Sequence, residues 1–121
     1  KKTAHDTRVG SHSIDQSAAR HLSGVKAGDL DLRLAERWLG ELLEQRGADI
    51  YRMKGVLAIA NAKERFVFHA VHMTMDGTFE GEWADGEARV SRLVFIGKHL
   101  KREELVEGFE ACVAVRRGVE V

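Results

Sequence analysis

Six histidines, His5, His12, His21, His69, His72 and His99, are the side chains in this 121-residue sequence best suited to chemistry. A neutral imidazole is the commonest protein ligand for zinc and the one side chain that titrates near neutral pH unaided. His5, His12 and His21 sit in or beside segments that read as loops, where one ion could gather them and Asp6 or Asp15 could add a carboxylate; they serve equally well as solvated loop side chains. His69 and His72 stand three apart on an expected strand, so their side chains leave opposite faces and share no ion without a bulge. They serve better as contact residues on a sheet face.

The remaining candidates argue against catalysis. Cys112 is the only cysteine, which excludes an internal disulfide and any Cys-based zinc cluster. It falls on an expected buried helix face, away from any group that would lower its pKa, and reads as a structural thiol. A phosphate-binding loop of the form G-x-x-x-x-G-K-[ST] is absent: Gly81 and Gly86 are correctly spaced, but Glu87 stands where the lysine should be. There is no G-x-S-x-G nucleophile elbow. Trp83, in a Gly-rich polar stretch, could anchor a partner or fold back as a lid on the sheet edge. The basic cluster Lys98, His99, Lys101 and Arg102 is offset by Glu103 and Glu104 and reads as a solvated turn. The chain by itself is therefore expected to bind or regulate, and not to act as an enzyme.

The elements that must carry these residues follow from periodicity. Residues 1–8 read as a lead-in or linker end, 9–117 as one domain and 118–121 as a tail. Val9 to Ser17 is a modest strand. Asp31 is an N-cap for a helix in which Leu32, Leu34, Ala35, Trp38, Leu39, Leu42 and Leu43 form the apolar stripe, and Gly47 should end it in a left-handed conformation. Tyr51 to Ala60 is a strand, reversed at Asn61 to Glu64 into a second from Arg65 to Met75. Asp76 to Ala88 reads as a polar loop, Arg89 to Gly97 as a further strand, and Arg102 to Val115 as the last helix. The expected fold is α+β with order βαβββα: a four-stranded, mostly antiparallel sheet packed against two helices on one face.

Composition bounds the partners. Nineteen basic residues balance nineteen acidic ones, so no global field draws nucleic acid or anionic lipid. Apolar runs such as Gly55 to Ala60 fall far short of the roughly 20 residues of a membrane span. Together with the lone cysteine, this suits a soluble protein of a reducing, cytoplasmic compartment.

Tyr51-Arg52-Met53-Lys54-Gly55-Val56-Leu57, then Val71-His72, then Ser91-Arg92-Leu93-Val94-Phe95-Ile96-Gly97-Lys98, with Leu30-Asp31 opening a helix that holds Trp38-Leu39, resembles the C-terminal domain of the CobW family of metal-handling GTPases. The resemblance runs from about His5 to Val113. It implies a parent protein whose separate N-terminal half binds GTP and Mg²⁺ and carries a Cys-rich metal motif, which accounts for the missing phosphate loop and for a first residue that is Lys. It further implies a metallochaperone, directed to zinc in many members and to cobalt in the cobalamin branch. This domain would then contact its own GTPase domain and a client metalloprotein. A direct His-based zinc module, or a homo-oligomerisation module using an exposed strand edge, are the competing expectations. Lys101 stands where members of the family usually place an Asp that caps the last helix.

Overall fold

The computed structural model describes residues 9–17 and 25–114. Five strands form one sheet: β1 (Val9–Asp15), β2 (Ile50–Ala58), β3 (Glu64–Val71), β4 (Thr74–Glu82) and β5 (Arg92–Lys98). Helix α1 (Leu32–Arg46) lies between β1 and β2 in the chain, and α2 (Arg102–Glu110) follows β5. The spatial order is β1-β5-β2-β3-β4, with every neighbouring pair antiparallel.

The expectation of four strands is corrected to five. The extra strand is β4, which from Asp76 onward lies in the stretch expected to be loop. Eight of its nine residues are exposed and only Met75 is half buried, so no apolar alternation marks it. The segment from Arg65 to Met75 is likewise not one strand. β3 ends at Val71, and His72 (φ +55°) and Met73 (φ +69°) form a two-residue turn that pairs Val71 with Thr74. Such turns favour Asn-Gly because both central residues need positive φ. A His-Met pair gives no such signal.

Both helices cover one face. The ring of Trp38 on α1 meets Phe95 of β5 and Phe109 of α2 edge-on, at centroid distances of 6.1 and 6.3 Å. The helices approach closely because Gly108 leaves room for that indole; a Cβ there would overlap the ring. Ile14, Met53, Leu57, Phe66, Phe68, Leu93 and Phe95 fill the space beneath, all buried.

Asp31 caps α1, its carboxylate accepting from the Leu34 amide at 3.1 Å. Gly47 is right-handed (φ −57°) rather than the left-handed stop expected, so the helix closes without a glycine-specific conformation. Lys101 gives α2 no side-chain cap. The same helix ends at Glu110, five residues earlier than its periodicity suggests, and Leu30 ties the following segment back by bridges to Val113 and to Ile59 after β2.

Candidate interaction face

The sheet has a second face, and no described element lies over it. Side chains alternate along a strand, so residues sharing a face recur every second position. On β2 that places Met53 and Leu57 toward the helices, and Arg52, Lys54 and Val56 away from them. The pairing register sets Arg52 beside Ile96 and Val71, Lys54 beside Val94 and His69, and Val56 beside Arg92 and Val67. Burial agrees: Arg52, Lys54, His69, Val71 and Arg92 are exposed, and Val56, Val67, Val94 and Ile96 are half buried. Within this patch lies a shallow groove of about 630 Å³, floored by Val56, Val67 and Val94 and bordered by Arg52, Lys54, His69 and Arg92.

A bulge makes this arrangement possible. Ile50 pairs with Gly97 and Arg52 with Ile96, which leaves Tyr51 as an extra residue in β2. The insertion lets Ile50 and Met53, three apart, both bury on the helix side while Arg52 and Lys54 take the other. Gly97 is needed opposite, because a Cβ there would collide with the Asp49 carbonyl that accepts the Lys98 amide.

The electrostatics of the face are uneven. At its β1 margin Arg92 pairs with Asp15 at 3.3 Å. Partial burial opposes ionisation of Asp15, but hydrogen bonds from the Ser17 hydroxyl and amide and the charge of Arg92 outweigh it and hold the carboxyl below its ordinary value. Toward β4, His69 faces Asp76 at 3.9 Å. Between them, Arg52 and Lys54 have no acidic partner among the described residues.

One end of the sheet is closed by a different cluster. Trp83, just past β4, lies 4.8 Å from the Arg65 guanidinium and 5.8 Å from that of Arg89. Arg65 also pairs with Glu87 at 2.6 Å, and Arg89 with Asp29 at 3.1 Å while donating to the carbonyls of Ile59 and Ala62. The Ala84 amide, acting against slight desolvation, and then the Arg65 charge keep Glu87 more acidic than usual. These contacts hold the chain after β4 against the turn after β2. The Trp83 indole N–H is buried with no acceptor among the described residues.

The sequence-derived site residues separate accordingly. His69 lies on the open face, His72 occupies the β3–β4 turn instead of a strand position, and Trp83 sits in the cation-flanked cluster. The face-alternation argument for His69 and His72 therefore does not apply. His12 is half buried on β1, and His5 and His21 lie outside the described residues. Among the described residues no three His, Cys, Asp or Glu side chains are grouped to hold a metal ion. Cys112 is buried, donating to the Gly108 carbonyl at 3.3 Å; burial first, then the Asp31 charge, push its pKa up to about 11. The residues that sequence reasoning passed over are Arg52, Lys54 and Arg92. Their alternation with Met53 and Leu93 was the available signal, obscured by the bulge at Tyr51.

The fold and this face define a two-layer α+β domain with one sheet surface left open. The family described as "Cobalamin synthesis protein cobW C-terminal domain" matches residues 20–113, and the chain belongs to it. The chain is 36% identical over 76 residues to a protein of Pseudomonas aeruginosa named "Zinc chaperone CobW", a stretch covering 63% of this chain and 20% of that protein. It therefore spans about a fifth of that relative's length. Among solved structures it resembles the Zn(II)-bound YjiA GTPase from E. coli and a Zn(II)-bound triple mutant of that GTPase. Each gives a TM-score of 0.73 at 23% identity, covering 88% of this chain and 30% of the other. At that identity the likeness is one of fold. No helix among the described residues is long and apolar enough to cross a membrane.

Proposed function

We propose that this chain is the partner-contacting and regulatory domain of a GTP-dependent metallochaperone directed to zinc, and that it docks on the GTPase domain of its own parent and on a client metalloprotein. The observation that carries the reading is the open sheet face, where half-buried valines lie among exposed cations on a domain whose other face is packed by two helices. Apolar area left between cations is what an intermittent partner can cover. Family membership supports the GTPase and metal context, since the relatives it matches carry the names of a zinc chaperone and a GTPase. Phosphate binding and hydrolysis are assigned to the parent's other half.

The test is calorimetric titration of this chain with the parent's GTPase half, loaded in turn with GTP and GDP. Binding whose affinity differs between the two nucleotides is the expected result. Absence of binding in both states overturns the reading.

A further inference from the structure

The open face is selective in its chemistry as well as unoccupied. A sheet face that meets only water carries mostly polar side chains. Here Val56, Val67 and Val94, on three adjacent strands, alternate with Arg52, Lys54 and Arg92. Three strands spaced about 4.8 Å apart span about 10 Å, the width of one α-helix. A helix is also the element that commonly completes a layer on a sheet face. Arg92 has an exposed partner in Asp15 and His69 one in Asp76, while Arg52 and Lys54 between them have none among the described residues, so the centre of the face complements a surface that is anionic as well as apolar.

Deepening the docking reading above, and resting on it, we propose that this face is the seat of an acidic amphipathic helix from a partner protein. Its apolar stripe lies on Val56, Val67 and Val94, and its carboxylates meet Arg52, Lys54 and Arg92. Among the described residues one helix is acidic, α2, with Glu103, Glu104, Glu107 and Glu110 around Val106. But α2 packs on the opposite face of the sheet, so a second copy could seat it here only head to tail, in a heterologous contact that builds a ring or a filament. A helix of a partner protein meets the face without that constraint.

The experiment is fluorescence anisotropy of a labelled 18-residue amphipathic peptide with a leucine stripe on a glutamate background, titrated with this chain. A peptide with lysine at every glutamate position is the control. The acidic peptide should bind at least tenfold more tightly than the basic one and should weaken as salt rises. An Arg52→Glu/Lys54→Glu variant should lose at least tenfold in that affinity while keeping its circular dichroism spectrum and melting temperature, because both side chains are exposed. Equal binding of the two peptides, no binding of either, or full binding by the folded variant overturns the proposal. So does concentration-dependent growth beyond a dimer in sedimentation that the variant abolishes, which would assign the face to α2 of a neighbouring copy. The same variant titrated with the GTPase half separates the two readings: retained GTPase binding with loss of the peptide upholds a separate occupant for this face. A variant that binds the peptide undiminished overturns the face whatever the GTPase half does.

Discussion

The two faces of the sheet are built from the same strands and obey opposite rules. Toward the helices the side chains are large and varied, Leu57, Phe66, Phe68, Leu93 and Phe95, and all are buried. Away from the helices, on the central strands β2 and β5, they are β-branched or cationic, and none is fully buried on β5 or between Arg52 and Val56 on β2. Side-chain size thus separates a surface packed once, during folding, from one that stays exposed. The packed face accounts for stability; the open one has little to lose when its side chains change.

That contrast can be broken most sharply by neighbouring residues on one strand. Phe95→Ala removes a fully buried ring between α1 and the sheet and should cost about 3–5 kcal/mol. Val94→Ala, one residue earlier on the open face, should cost less than about 1 kcal/mol, because the site is already half solvated. Urea denaturation of the two variants decides the matter, and similar losses would mean that the open face is packed after all. Gly97→Ala should cost about 1–3 kcal/mol, since the added methyl meets the Asp49 carbonyl, a backbone atom with little freedom to yield.

The helices sharpen the comparison at lower energies. Asp31→Ala should lose about 1 kcal/mol through its cap, and Lys101→Asp should gain about 0.5–1 kcal/mol by supplying α2 with the cap it lacks. Thermal melts of both variants report the signs. Cys112 gives a test in pH. Because its pKa rises from 9.0 to about 11 on folding, the folded chain keeps the proton while the unfolded chain releases it. Its contribution to stability is whole below pH 9 and falls as pH climbs from there to about 11. The melting temperature should drop over that window and drop less in Cys112→Ala. A native thiol that alkylates readily at pH 8 would show that the helix face is not closed. The smallest effect is expected from Arg52→Glu with Lys54→Glu, whose stability should stay within about 0.5 kcal/mol of the parent chain.

Much of the packed face was legible in the sequence, because burial against helices demands a period. The stripe through Leu32, Ala35, Leu39 and Leu43 located α1, and Ser91, Leu93 and Phe95 correctly shared a side. β4 was illegible for the complementary reason. It is an edge strand with nearly every residue exposed, so Asp76, Gly77 and Glu80 look like loop while backbone pairing with β3 holds them extended. The open face was hidden by the Tyr51 bulge. Arg52 and Lys54 do alternate with Met53, but the phase changes at Tyr51, and a strict two-residue period running from Ile50 assigns them to the wrong side. Bulges are set by pairing with a distant strand, which local patterning does not encode.

β1 has a consequence for how the chain reaches this structure. It pairs only with β5, and the Arg92–Asp15 contact joins residues 77 positions apart. Every other strand pair except β2 with β5 closes across a short turn. During synthesis β1 emerges first but waits until nearly the whole domain exists before its partner appears, a high contact order for a small protein. The β2–β3–β4 meander can form on its own schedule, while docking of β1 is a late event. A pulse-labelled hydrogen-exchange experiment should find the amides of β1 protected last, after those of the meander.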